Sequence, residues 1–518
     1  MLFNSPEFIF VFLPIVVAGF YLLRHVSFSA AFYWLIVLSL IFYGWNEPAF
    51  LAIIGTSILF NYAMGIVIDA SLHPVRRRLL AALGIAGNLL FLGYFKYSVF
   101  LAENIWRLVS DRPLGWEKLT LPLGISFFTF QSIAYLVEVY KGQKSEPRLA
   151  RYALLIGFFP HSIAGPIIHP NDVLPQFNPD QMKFRWENFS IGLTFFAIGL
   201  FKKVVFADTA AQFSTPVFTA VSAGQPVTFG EAWVGALAYT LQIYFDFSAY
   251  SDMAIGFARM FGIRFPVNFF SPYKATSIVE FWRRWHITLS RWLRNYLYIP
   301  LGGNRHGKAR RYVNLLITML LGGLWHGANW TFVVWGALHG VYLIINHGWN
   351  AVRARYFPAV PSSIYTRFVA GVLTFIAVVF AWVFFRAESI GAAFTMVSIM
   401  SGWSGIDLPQ WAATAGIAKV VAGILPLRFE GVFQHQLFNV SQLYLLVLMF
   451  AVVWLLPNSA ELLRKYRPVV SPELLPSSSL SLPLVWRATT PWAVITAVMF
   501  LIAVMNLGKV SEFIYFNF

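Results

Sequence analysis

Cysteine is absent from the 518 residues, so no disulfide framework, thiolate metal site or cysteine acyl-enzyme can form. Any covalent relay must run through oxygen or nitrogen. Charge is scarce as well: 12% of residues are charged and 58% are hydrophobic, with a mean hydropathy of +0.65. That composition cannot cover a soluble protein with polar surface, and it predicts a polytopic membrane protein. Acids are the scarcer sign, 22 against 38 Lys and Arg, for a net charge of +16. In a chain this apolar, the basic excess belongs to cytoplasmic loops and to contacts with anionic membrane lipids, and nucleic acid is discounted. The ten histidines show no H-E-x-x-H or other close metal spacing. No phosphate-cradling glycine loop or G-x-S-x-G elbow occurs either, so a metal enzyme or serine hydrolase is not supported. Long polar linkers and internal repeats are also missing, and residues 1–518 read as a single membrane-embedded domain.

Runs of about 20 apolar residues, enough to cross a hydrocarbon core as a helix, are placed near 8–23, 30–45, 50–68, 79–95, 119–140 and 152–168. Glu7 precedes the first run with no positive charge and no small-residue cleavage site follows, so that run reads as a span and not a signal peptide. Basic loops then alternate in the positive-inside sense, which predicts an N-terminus outside the cytoplasmic (inner) membrane of a bacterium. Further spans fall near 190–206, 232–257, 313–345, 367–385, 442–456 and 490–507, the 313–345 run breaking around Gly327 to Asn329. Lys202 and Lys203 should close the 190–206 span on the inside, and the 274–311 segment should be inside too. That segment carries nine basic residues against Glu280 alone. Both cannot hold with simple crossings, so one nearby segment should be broken or re-entrant, beside protein or a water-filled cavity. The tail after the last span is expected outside.

Three stretches could carry chemistry. His326, in Gly322-Gly323-Leu324-Trp325-His326-Gly327-Ala328-Asn329, is an ionisable residue inside a membrane run, which marks either a functional site or a neutral, hydrogen-bonded packing residue. The 280–294 stretch interleaves Arg283, Arg284, Arg291 and Arg294 with Trp282, Trp285 and Trp292 at helical spacing around His286. It is either a basic amphipathic helix lying on anionic lipid or a phosphate-gripping site. Asp246 and Asp252 stand six residues apart, about 240° around a helix, so they do not form a paired-carboxylate site and fit buried hydrogen bonding or capping better. His161 and His169, around the Pro/Gly-broken 159–166 stretch, are either site residues or, the favoured reading, residues at the membrane boundary.

Together these residues resemble a known family. Pro122-Leu123-Gly124-Ile125-Ser126-Phe127, the stretches 159–166, 244–256 and 280–300, Gly302-Gly303-Asn304-Arg305, the 322–329 stretch and the tail Phe513-Ile514-Tyr515-Phe516-Asn517-Phe518 are similar to membrane-bound O-acyltransferases. The likeness is to their bacterial polysaccharide branch, typified by alginate O-acetyltransferase. The resemblance covers essentially the whole chain. It implies about eleven transmembrane helices, with re-entrant or interfacial helices around a central tunnel. It also implies an acetyl group taken from cytoplasmic acetyl-CoA, as a donor substrate and not a resident cofactor. The group is passed across the membrane for O-acetylation of an exopolysaccharide such as alginate or cellulose, usually with a periplasmic acetyltransferase as partner.

Carried over by motif, the essential family histidine falls on His326 and the second on His286, which orients donor or partner. The resemblance further implies that Arg283, Arg284, Arg291, Arg294 and Trp285 hold the donor. Tyr515 occupies the tail position proposed as an acyl relay, and an aromatic interfacial anchor is its other reading. The rival classes are a transporter or flippase of a lipid-linked sugar, which normally brings repeated halves, and a structural subunit of a secretion complex.

Overall fold

A computed structural model describes residues 1–110, 112, 114–116, 119–356, 363–409, 426–470, 482–508 and 513–514. The described chain is built of helices. Its strand pairing is one parallel contact of two residues each, Ile406–Asp407 beside Leu427–Arg428.

Five helical stretches are long and apolar enough to cross a membrane: Phe8–Val26, Phe50–Ala70, Pro74–Trp106, Trp186–Ser222 and Ile364–Arg386. Shorter apolar helices are Phe28–Tyr43, Ile125–Tyr140, Ile390–Met400, Val440–Leu455 and Thr490–Met505. Their lipid-facing residues are large and apolar, as at Leu22, Leu90, Phe368 and Val447. Water would not tolerate so many, and hydrocarbon favours them.

The helix Phe229–Met260 runs through the middle, buried along most of its 32 residues. Thr228 starts it with a capping box, accepting from the Glu231 N–H while the Glu231 carboxylate accepts from Thr228. Small residues let the Trp186–Phe201 helix lie directly on it. Gly192 and Gly199, two turns apart, bring their backbones against the carbonyls of Gly256 and Ala249, and a Cβ on either would stand 2.6 to 2.8 Å from those oxygens. In lipid, where helix association gains little from the hydrophobic effect, such close approach is what packing has to offer.

Lys202 and Lys203 correct the topology expected from charge. They lie inside the continuous helical stretch Trp186–Ser222, in a π-helical turn spanning Lys202–Ala207. Lys203 is buried and pairs with Asp246 at 2.8 Å and Asp208 at 3.0 Å; Lys202 pairs with Asp252 at 2.7 Å. They are therefore counter-ions within the protein and carry no information about a cytoplasmic loop. The run expected at 152–168 also ends early. A helix spans Leu149–Gly157, and 158–169 continues as buried turns around Pro160, Gly165 and Pro166.

The expected break at 327–329 is present. Gly307–His326 and Trp330–Tyr356 form an antiparallel hairpin. Its helices pack through Gly323 on the Phe332 carbonyl, Gly336 on the Met319 carbonyl and Gly340 on Leu316. At the hairpin's closed end His326 is buried, whereas Trp330 just beyond the turn is exposed.

Removing one partner of a buried ion pair leaves the other charge uncompensated, at about 3–5 kcal/mol. Lys203→Met should therefore abolish monodisperse, folded protein after detergent extraction. The double variant Lys203→Met, Asp246→Asn should recover part of the yield, as read by fluorescence-detected size exclusion.

Candidate active site

The Gly307–His326 helix ends within the protein, where its last carbonyls have no further turn of helix to bond to. Lys96 and Tyr97 meet them instead. The Lys96 ammonium donates to the Trp325 oxygen at 2.6 Å, the His326 oxygen at 3.1 Å and Ser126 Oγ at 3.2 Å. The Tyr97 hydroxyl donates to the Leu324 oxygen at 2.9 Å. A cation at a helix C-terminus also matches the helix dipole. The chain then leaves His326 through Gly327 in an extended conformation, with the Phe332 ring so close to Gly327 that a side chain there would collide.

His286 is held by different means. The 280–294 stretch is two short helices, Ile278–Trp282 and Ile287–Leu293, and His286 between them sits in the left-handed region at φ 41°. Asn268 enforces this break from outside the stretch. Its backbone oxygen accepts from Ile287 N–H at 2.9 Å. Its side-chain oxygen accepts from Thr288 Oγ1 at 2.9 Å and the Thr288 N–H at 3.3 Å, and lies 3.0 Å from His286 Nδ1. It thus satisfies the N-terminal N–H groups of the second helix in place of a residue within the helix itself.

These two constructions bring the rings of His286 and His326 to 6.3 Å between centroids. Both side chains are buried, at 0% and 3% exposure. Trp325, Trp335 and Phe385 surround His326 at 5.0, 5.1 and 5.1 Å, and Phe247 lies edge-on to His286 at 4.7 Å. A small cavity of about 40 Å³ reaches His326, walled by Lys96, Trp325, Ile163 and residues 121–127. A larger one of about 540 Å³ adjoins it through Lys96 and Leu121. Glu103, Asn104, Arg107, Asn329, Trp330 and Glu388 line its other side. The two cavities share Lys96 and Leu121 as lining, so Lys96 stands between the larger space and His326.

The residues expected to hold a donor do not act as one patch. Arg284 and Trp285 are interior. Arg284 is tied to Glu280 at 2.8 and 3.0 Å and to the Phe270 oxygen at 3.2 Å, and Trp285 packs among Phe269, Phe281 and Trp382. Arg291 pairs with Asp172 at 2.7 Å, while Arg283 and Arg294 are exposed. His161 is fully buried against Gln131 and His169 is bonded to the Tyr296 hydroxyl, so both are held by partners within the protein. Asp246 and Asp252 serve separate ion pairs, and Asp246 also accepts from the Ile514 N–H at 2.9 Å. Phe513 is buried against Tyr250 and under the Lys203 ammonium. Phe513 and Ile514 thus pack into the body, and Tyr515 lies outside the described residues.

Two site residues escaped the sequence. Lys96 was visible as a charge at the edge of the 79–95 run, but helix continues through it to Trp106. Asn268 gave no signal, because its role exists only across a gap of 18 residues.

With this geometry in place, comparison with known proteins defines the class. Residues 79–387 match the MBOAT, membrane-bound O-acyltransferase family. The chain belongs to that family, and it is a multi-pass membrane acyltransferase. It is similar to a peptidoglycan O-acetyltransferase of Helicobacter pylori, 36% identical over 100% of this chain and 98% of the relative. It is also similar to a probable alginate O-acetylase AlgI of Pseudomonas putida, 43% identical over 83% and 87%. A teichoic acid D-alanyltransferase of Streptococcus thermophilus is 30% identical over 45% of this chain and 59% of its own length. An acyltransferase family answers the rival readings of a flippase and a structural subunit.

Asn268 gives a local test. Asn268→Leu leaves the hydroxyl of Thr288 and the end of the Ile287–Leu293 helix without their acceptor, a cost of about 1–3 kcal/mol for each buried group so stranded. The melting midpoint in detergent should fall by several degrees, whereas Ser251→Ala, which touches Asn268 only through a 3.4 Å contact, should leave it unchanged.

Proposed function

We propose that this chain takes an acetyl group from cytoplasmic acetyl-CoA and passes it across the membrane for O-acetylation of an extracytoplasmic polysaccharide, with a periplasmic acetyltransferase finishing the transfer. The observation that carries this reading is the burial of His326 and His286 side by side at the end of a helical hairpin, with a cavity reaching His326. The hairpin begins at a basic surface. Lys308 and Arg310 are exposed and Arg311 half-exposed near the start of the Gly307–His326 helix, and 15 residues of helix from Arg311 to His326 rise about 22 Å. A donor from that side and an acceptor from the other would meet at His326.

In the reaction proposed, His326 removes the proton from an acceptor hydroxyl as its oxygen attacks the thioester carbonyl. The carbon–sulfur bond then breaks, and the imidazolium returns the proton to the leaving thiolate, giving ester and free coenzyme A. An imidazole suits both steps, since it can accept and return one proton near neutral pH. His286, fixed by Asn268, orients the donor or the His326 ring. Of the expected donor-binding residues, Arg283, Arg294 and the half-exposed Arg291 have the reach to grip coenzyme A phosphates. Arg284 and Trp285, engaged inside, would support them from beneath.

The acceptor class follows the relatives, which are named for peptidoglycan and alginate. Tyr515 is the acyl relay in this reading. About eleven crossings, an N-terminus outside the bacterial inner membrane and a single domain over 1–518 complete the proposal.

Purified protein should release coenzyme A from acetyl-CoA, and His326→Ala should lower that rate by at least about 100-fold with its elution profile unchanged. Retention of the rate by a folded His326→Ala protein would remove His326 from the mechanism. Intact mass after acetyl-CoA treatment should show one added acetyl group in wild type and none in Tyr515→Phe; the same acetyl in both excludes the relay.

A further inference from the structure

Lys96 is a half-buried cation beside His326, within a helical stretch long and apolar enough to cross a membrane. Among the described residues it pairs with no carboxylate. Its three N–H bonds go to Trp325 O, His326 O and Ser126 Oγ, at 2.6, 3.1 and 3.2 Å. Burying an ammonium in a membrane protein is costly, and such residues mark function by default. Capping two carbonyls does not by itself require a charge, since a neutral hydroxyl does the neighbouring work: Tyr97 caps Leu324 O.

The place of Lys96 distinguishes it from Tyr97. Its side chain lines both the cavity at His326 and the larger one beside it, so it forms part of the wall between them. It also joins three elements that must keep register around a reacting group. These are its own helical stretch Pro74–Trp106, the end of Gly307–His326, and the segment 121–127 that walls the smaller cavity. That last segment has little freedom of its own. Gly124 turns it at φ 70° with its Cα facing the Ser162 carbonyl so closely that no side chain fits. Tyr43 donates to the Leu123 oxygen at 2.7 Å. Ser126 therefore gives the Lys96 ammonium a rigid reference point, and the Trp325 and His326 peptides are held relative to it.

We propose that Lys96 is a positioning residue for acyl transfer: its ammonium fixes the peptide of His326 against the 121–127 wall, at the junction of the two cavities. It acts through His326 and so rests on the catalytic role proposed above for that residue. Displacing a catalytic group by about 1 Å can cost about 100-fold in rate, so loss of this anchor should appear in turnover.

The experiment compares purified Lys96→Met, Tyr97→Phe and His326→Ala with wild type, using acetyl-CoA as the probe, coenzyme A release as the rate and a melting curve as the structural control. Expected are a fall in kcat for Lys96→Met on the order of 30- to 100-fold, with KM for acetyl-CoA held within threefold. Tyr97→Phe, which removes a cap from the same helix end, should stay within twofold of wild type even where its melting midpoint drops. If Lys96→Met keeps kcat within threefold while His326→Ala is inactive, the inference is overturned and the catalytic assignment stands. Raised KM at unchanged kcat would make Lys96 a substrate-binding residue and overturns it also. So does a parallel loss in Lys96→Met and Tyr97→Phe that tracks melting. An active His326→Ala overturns the reading on which the inference rests. Should Lys96→Met not fold, Lys96→Arg is read on the same scale, a fall in kcat at constant KM supporting the inference and an unchanged kcat contradicting it.

Discussion

A helix that stops inside a membrane protein leaves carbonyl groups where no water can reach them. The helix Gly307–His326 stops within the protein beside a narrow cavity, and much around His326 follows from how its carbonyls are met. Lys96 and Tyr97 supply the donors, which obliges the Pro74–Trp106 stretch to pass beside the hairpin. Ser126 takes the remaining ammonium proton, which brings in the segment 121–127 as the cavity wall. The imidazole of His326 then stands at a defined point among Trp325, Trp335 and Phe385. Elsewhere the same constraint is met by charge pairs. Lys202 and Lys203, facing inward from a helix, are compensated by Asp252, Asp246 and Asp208.

Elements governed by local chemistry were legible in the sequence. Long apolar runs located most helices, and the Gly327 to Asn329 break was readable from glycine and asparagine inside such a run. Pro160, Gly165 and Pro166 announced an irregular segment, although not how early the helix before it would end. His326 stood out because an ionisable group in hydrocarbon is expensive.

What was not legible depends on partners distant in sequence. The arginine and tryptophan spacing of 280–294 suits one amphipathic helix, yet Asn268, 18 residues earlier, imposes a left-handed turn at His286 and divides it in two. The division buries Arg284 and Trp285 and leaves Arg283 and Arg294 outside, so four arginines that share a helical face in the sequence do not share one in the fold. Lys202 and Lys203 looked like loop charges because Asp252 and Asp246, which meet them, are 50 and 43 residues away, and only Asp208 is near in sequence. Counting charges sets topology only for charges in loops, and these two are paired within a continuous helical stretch.

Family membership supplies the reaction class, and the buried histidine pair is the location proposed for it. The most direct measurement is a cryo-EM structure of the full chain with a non-hydrolysable acetyl-CoA analogue. The account expects the acyl carbonyl beside the His326 ring, in or next to the small cavity bounded by Lys96 and residues 121–127, with the nucleotide toward the basic 283–311 surface. An acyl group resting away from both His326 and His286 would contradict it.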